Sequence, residues 1–199
     1  MTMDLSKKSW IVTRVDGRIA SVAADWRHFA EIAAKIASFP ADRTGEVTAS
    51  RIAAEDLPAL SASVRWGDLC LLGTDFQRRV WRELYLLAHR SEDDPALPDG
   101  GVHLLSYSQL AQRCGNLPGV RAVAHAVAVN PVAYIIPCHL IVPKESIDKV
   151  QAIRTDAQKT IFQGEDLYLL DSIDVGGFAY GKKWKRAFIG LQLEGCKNS

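Results

Sequence analysis

The chain predicts an α+β protein, with a small α/β unit over residues 1–72 and a mainly helical unit over 73–199. Three observations carry this reading. A strand pattern broken by Asp16-Gly17 opens the chain, two helices with the same start signal follow Gly73, and an apolar run ends in Pro137-Cys138-His139. Apolar residues make up 48% of the 199 and charged residues 24%, a balance that gives a soluble chain enough material for a proper core.

Trp10 to Val15 and Arg18 to Ala24 read as strands, and the Asp16-Gly17 pair between them is the strongest short hairpin signal. Ala24 to Ser38 places Phe29, Ile32, Ala33 and Ile36 at helical spacing, so an amphipathic helix is predicted. From Ala41 to Trp66 only one short helix is legible, near Leu57 to Val64. Asp68 to Leu72 reads as a further strand, and a boundary falls near Gly73. Thr74 and Gln77 then form a capping box. The helix they open has Phe76, Val80, Trp81, Leu84 and Leu87 as its inward stripe, with Arg78, Arg79 and Arg82 on other faces. Ser91 to Gly101 reads as an exposed acidic loop.

Ser106 and Gln109 form a second capping box, for a helix that runs to about Arg113 and stops at Gly115. Asn116 to Gly119 is a turn, and Val120 to Val129 is the next helix, ended by Asn130-Pro131. The pair reads as a helix-turn-helix. Ala122, Ala124, Ala126 and Ala128 let the second helix approach another surface closely, either a neighbouring helix or a nucleic-acid groove. Val132 to Ile136 reads as a buried strand or an extended segment, and Pro137 ends regular pairing. Leu140-Ile141-Val142 is the return strand. Pro143 to Val175 shows no pattern, and Gly176 to Gly181 is a glycine-rich loop that bends over a ligand or simply turns. Lys182 to Leu193 is the last helix, with Phe188, Ile189 and Leu193 buried and Lys182, Lys183, Lys185 and Arg186 as a basic start.

Several classes are excluded at this stage. No apolar run approaches the ~20 residues that span a bilayer. Met1 to Lys8 lacks the apolar core of a secretory signal, which places the chain in the cytoplasm, or in the nucleus of a eukaryote. The four cysteines, Cys70, Cys114, Cys138 and Cys196, form no C-x-x-C pair, so neither a zinc site nor a disulfide framework is predicted. The net charge of +1 announces no nucleic-acid partner, so any such contact must come from local patches. Cys138 is then either a packed thiol or a nucleophile, and a nucleophile needs a neighbour that lowers its pKa.

Three stretches occur in order. They are Gly-Thr-Asp-Phe-Gln-Arg-Arg-Val-Trp from Gly73, Ser-Tyr-Ser-Gln-Leu-Ala from Ser106, and Arg121-Ala122-Val123 followed by Asn130-Pro131 and Pro137-Cys138-His139. The set resembles the O6-alkylguanine-DNA alkyltransferase family, the methylated-DNA–protein-cysteine methyltransferases. The resemblance covers 73–139 well and 176–195 moderately. It implies a ribonuclease H-like first unit and an insert at about 143–175. It also implies direct reversal repair: one self-inactivating transfer of an alkyl group, such as methyl, from O6 of guanine to Cys138, with no cofactor and no metal.

On this resemblance His139 activates Cys138 through a water, Asn130 braces the turn, and Gln192 stands where the family has a glutamate on the histidine. Tyr107 contacts the phosphate beside the target, helps swing the base out, and lines the substrate pocket with Pro137 and Phe178. Arg121 fills the hole left in the base stack. Ala122 and Ala124 lie in a minor groove ~6 Å wide, where bulky side chains do not fit. The implied partner is double-stranded DNA carrying O6-alkylguanine, bound by a monomer. The chain departs from the family at Leu140, where arginine is usual, at Ala124 for glycine, at His125 for a small residue, and at Gln192. Two other functions fit parts of the pattern. One is a non-catalytic sensor of alkylated DNA that recruits repair factors. The other is a Cys–His hydrolase, which lacks an oxyanion motif in this sequence.

Overall fold

In the computed structural model, which describes residues 8–38, 45–89, 102–153, 161–162 and 169–195, the predicted hairpin joins β1 (Ser9–Val15) to β2 (Arg18–Ala23). Asp16 and Gly17 both take positive φ, 49° and 77°, as a tight hairpin turn requires. Helix α1 (Arg27–Ala37) starts three residues later than predicted and packs Ile32 and Ile36 against Val15 and Ala20. Strand β3 (Val47–Ala53), which the sequence pattern does not announce, pairs antiparallel with β1 and gives the order β2-β1-β3. Helix α2 (Leu57–Ser63) falls where predicted.

Asp68 to Leu72 is not a strand. Trp66–Asp68 forms a 3₁₀ turn, and Leu69 makes only an isolated bridge to Ile19. The reason is local. The Arg18 guanidinium donates to the carbonyls of Gly67 at 3.1 Å and Leu69 at 2.6 Å, filling acceptors that a ladder would use.

Helix α3 (Asp75–Tyr85) has the predicted capping box, with Thr74 and Gln77 bonding each other's backbone N–H groups. Val80, Trp81, Leu84 and Leu87 are buried and Phe76 is half-buried. The Trp81 indole donates to the Ala126 carbonyl at 2.8 Å, which ties α3 to a later helix. The predicted acidic loop, Ser91 to Gly101, lies outside the described residues. Strands β4 (Val102–His103) and β5 (Leu105–Ser106) lead into α4 (Tyr107–Arg113), capped by Ser106 and Gln109. Gly115 at φ 66° ends it. A 3₁₀ turn at Leu117–Gly119 precedes α5 (Val120–Ala128), which buries Val123, Ala126 and Val127 and exposes Arg121, Ala122, His125 and Ala128.

Val132 to Ile136 is buried but is neither a strand nor extended. Val132 makes a single bridge to Val22, and the rest is a series of turns with Tyr134 at φ 70°. Strand β6 (Ile141–Val142) returns parallel to β5. The patternless stretch contains α6 (Lys144–Ile153), seated through Ile147 and Val150, then β7 (Ile161–Phe162) paired with β4, and α7 (Leu169–Ser172). Helix α8 (Lys182–Gly195) buries Phe188, Ile189 and Leu193 as predicted, but it also buries Lys185, which is therefore no part of an exposed basic start. Trp10 of β1 lies edge-on to Trp184 and close to Phe188, both at 5.1 Å, so the sheet packs directly on α8. Among the described residues, no helix is long and apolar enough to cross a membrane.

Trp81→Phe is expected to cost about 2–4 kcal/mol, because it opens a cavity and leaves the Ala126 carbonyl without its indole donor. Urea unfolding checks this: the midpoint falls with an unchanged slope, and an unmoved midpoint would show that the indole bond fixes nothing.

Candidate functional site

The site is built by the carboxamide of Asn130. Its Oδ1 accepts from the Val132 N–H at 3.1 Å, as Asx turns do. Its Nδ2 donates to the Ile136 carbonyl at 2.8 Å and to Cys138 Sγ at 3.1 Å. One side chain thus folds the segment back on itself and reaches the thiol. This is why Val132 to Ile136 turns rather than pairs. Tyr134, a non-glycine residue with left-handed φ, is held there by backbone bonds on both sides, Ile135 N–H to Ala133 and Ile136 N–H to Val132. Cys138 follows on a 3₁₀ turn (Cys138–Leu140) and is 8% exposed. Pro137 and Leu140 are buried beside it. A leucine suits the enclosed position of residue 140, which an arginine could not occupy without a partner.

His139 has no exposed surface. Its ring stacks on Tyr134 at 5.5 Å and meets the edge of Phe188 at 5.4 Å. Its Nε2 lies 2.5 Å from Oε1 of Gln192. An amide oxygen can only accept, so Nε2 carries the proton and Nδ1 keeps the lone pair. Nδ1 is buried and has no hydrogen-bond partner among the described residues. Burial pushes the His139 pKa down to about 3, against the Gln192 bond and aided by the Lys185 charge. The imidazole is therefore a neutral base with an open Nδ1. The side chain of Glu194 lies outside the described residues.

Lys185 is the residue the sequence reading misplaced. It is 1% exposed, and its Nζ donates to the carbonyls of Ile141 at 2.5 Å and Gly177 at 3.1 Å. Burial lowers its pKa to about 8, while the neighbouring Cys138 and Asp174 pull it up. A signal was present: Lys185 precedes Phe188 by three and Ile189 by four, so it shares the buried face of α8. Burial also pushes the Cys138 thiol up from its ordinary value. Against this act the Asn130 donor, the Lys185 charge and the backbone N–H groups of Cys138 and His139. The site thus offers a thiolate several partners but keeps the resting sulfur protonated.

Asn130, Cys138, His139 and Gln192 are joined in this way. Tyr107, first in α4 and half-buried, is near enough for a charged sulfur to raise its pKa, although burial is the larger cause. Phe178 is half-buried, 6.0 Å from Phe188. Arg121 and Ala122 lie on the exposed face at the start of α5, and Ala124 is half-buried. No group of three or more His, Cys, Asp or Glu among the described residues is placed to hold a metal.

The depressed His139 pKa gives a signed prediction. The unfolded chain takes up this proton first as pH falls, so stability from the neutral imidazole is present above 6.5 and lost toward pH 3. The full effect is of order 5 kcal/mol. Urea midpoints should fall steadily below pH 6.5, and His139→Gln should flatten that fall. An equal slope in both proteins would contradict the assignment.

Residues 97–166 match the family model described as the 6-O-methylguanine DNA methyltransferase DNA-binding domain. The chain is 40% identical over 79 residues to a probable methylated-DNA–protein-cysteine methyltransferase of Acanthamoeba polyphaga mimivirus, covering 40% of this chain and 45% of that protein. It is 38% identical over 72 residues to the methylated-DNA–protein-cysteine methyltransferase of Saccharomyces cerevisiae, covering 36% of this chain and 32% of that one. The chain thus spans less than half the length of these relatives. The crystal structure of O6-methylguanine-DNA methyltransferase from Pyrococcus kodakaraensis KOD1 superposes with a TM-score of 0.51 over 96% of both chains at 17% identity, a likeness of fold alone. The mixed α/β architecture with small sheets and many helices agrees with that likeness. The matched segment holds Tyr107, Arg121, Asn130, Cys138 and His139, so this part of the chain is similar to the DNA-binding domain of the 6-O-methylguanine DNA methyltransferases.

Proposed function

We propose that the chain repairs alkylated DNA by taking the alkyl group of O6-alkylguanine onto Cys138 in one irreversible turnover. The observation that carries this is a buried thiol bonded by Asn130 and followed in sequence by an imidazole whose Nδ1 is an open base. In the step, a new bond forms between Sγ and the alkyl carbon while the carbon–O6 bond breaks. The electron pair of that bond goes to guanine, and the thiol proton leaves toward His139 Nδ1 through water. Asn130 and Lys185 stabilise the charge on sulfur while it lasts. The thioether that results is a poor leaving group, and no second acceptor follows from the sequence, so each chain acts once.

The target atom is out of reach inside a duplex, so the base must be extruded. On this reading α4, the Leu117–Gly119 turn and α5 are the helix-turn-helix, with α5 in the minor groove through Arg121, Ala122 and Ala124. Tyr107 meets the adjacent phosphate, and Tyr107, Pro137 and Phe178 line the pocket. The three-stranded sheet with α1 is the ribonuclease H-like unit. The division lies near Gly73, with an insert over 143–175. The acting species is a monomer in the cytoplasm or nucleus.

The test is intact mass after mixing with a duplex carrying O6-methylguanine. One methyl per chain is expected, and none in Cys138→Ser; an unmodified Cys138 beside retained lesion binding would point to a sensor instead. Arg121→Ala should slow transfer about tenfold or more, since refilling the stack offsets a few kcal/mol of unstacking. Its unfolding midpoint should barely move. An unchanged transfer rate would remove Arg121 from the role. DNA affinity should fall with salt, roughly 0.9 log units per log unit of salt for each phosphate contacted. A flat dependence would argue against a DNA partner.

A further inference from the structure

We infer that the cavity between β2, the segment 66–71 and the start of α3 binds a nucleotide, with the phosphate on Arg18 and Arg78 and the flat base against Trp66, Leu69 and Leu71. It shares no residue with the site around Cys138, and it does not depend on the alkyl-transfer reading. The cavity has a volume of about 300 Å³, at the lower end of the range for small-molecule sites. Arg18, Trp66, Leu69, Cys70, Leu71 and Arg78 line it.

Its walls are preformed. Arg18 donates through Nε and Nη2 to the carbonyls of Gly67 and Leu69, and Arg78 donates through Nη1 to the carbonyl of Gly73. The Cys70 N–H donates to the Ile19 carbonyl at 2.8 Å, so the segment is also tied to β2. Two guanidinium groups thus bracket the stretch that carries the apolar wall. In that wall Leu69 is buried, and Trp66, Cys70 and Leu71 are half-buried.

The bracketing leaves donors over. A guanidinium has five N–H donors. Among the described residues Arg18 uses two of them, which leaves three. Arg78 uses two, on Gly73 and Asp75, which leaves three more. Asp75 neutralises Arg78, whereas no ion pair among the described residues engages Arg18. The nearby Asp16 and Asp68 carboxylates accept from the backbone N–H groups of Glu46 and Arg65. Arg82 adds a further cation, 4.9 Å from the centre of the Trp66 ring. The slot is therefore apolar on one wall and positive at its rim. Its open N–H donors outnumber the lone pairs of one carboxylate, and guanidinium forks match the oxygens of a phosphate. A phosphate joined to a flat, largely apolar ring is a nucleotide. In the sequence Arg18 is one residue of a strand, and Trp66 closes a stretch with no legible chemistry, so neither marks a site there.

The test follows the Trp66 indole N–H by nitrogen–proton NMR, assigned with Trp66→Phe. The protein is titrated with adenosine monophosphate, with adenosine, and with a lesion-free duplex. Adenosine monophosphate should move the signal along a saturating curve. Adenosine, which lacks the phosphate, should bind about tenfold more weakly or worse, the scale of lost charge-assisted hydrogen bonds. Arg18→Gln should weaken the monophosphate by a similar factor while the rest of its spectrum stays in place. A duplex that moves Trp66 where the monophosphate does not, and that Arg18→Gln weakens, would assign the phosphate to a bound strand rather than a free nucleotide. A Trp66 signal that neither phosphate-bearing ligand moves overturns the inference. So does adenosine that binds as tightly as its monophosphate, or a folded Arg18→Gln protein with unchanged affinity.

Discussion

A neutral imidazole holds the centre of this protein together. His139 has no exposed surface, and its Nε2–H is given to the Gln192 amide rather than to a carboxylate. An amide fixes the tautomer and supports imidazolium less than a carboxylate would, and burial outweighs that support, so the ring stays uncharged in an apolar place. The sulfur beside it is held protonated by the same burial. The resting site therefore avoids an ion pair, and Lys185 is its buried cation, satisfied by two backbone carbonyls. On the proposed chemistry, charge on sulfur exists only while the new carbon–sulfur bond forms. A glutamate in place of Gln192 would shift this balance toward a standing imidazolium.

The fold serves this arrangement through three ties of different kinds. Asn130 stitches the end of α5 to the thiol with its carboxamide. The Trp81 indole pins α5 to α3 by one buried bond, so the helix that precedes the turn cannot tilt away from it. Trp10 packs the β-sheet on α8 through aromatic edges, and α8 carries both Lys185 and Gln192. The first tie is local, the other two join elements far apart in sequence, and each ends within a few residues of Cys138 or of its partners.

Much of this was legible in the sequence, for identifiable reasons. The hairpin and both capping boxes rest on local chemistry, and local chemistry decided them. Asn130, Cys138 and His139 stand out in the sequence because their spacing is itself the motif, and the structure places the Asn130 carboxamide on the Cys138 sulfur. Strand β3 was not legible, because Val-Thr-Ala-Ser-Arg-Ile-Ala at a sheet edge alternates only from Val47 to Ser50, and largely with small residues. Val132 to Ile136 has strand composition, yet one asparagine side chain takes over its hydrogen bonding. Asp68 to Leu72 fails as a strand for a similar reason, the Arg18 guanidinium taking the Leu69 carbonyl and that of Gly67 just before the segment. Lys185 was read by its charge when its register on α8 decided its place. In each of the last three, a side chain's bond to a backbone carbonyl outweighed the residue's type.

The protonation of His139 is the most direct test of this picture. Nitrogen-resolved NMR of the imidazole, followed from pH 8 to pH 4 (a range spanning the ordinary histidine transition of ~6.5), reads the tautomer and the charge separately. A neutral ring protonated at Nε2, unchanged across that range, is the expected result. A ring that becomes imidazolium near its ordinary pKa, or that carries its proton on Nδ1, would contradict the neutral-base site and the role given to Gln192.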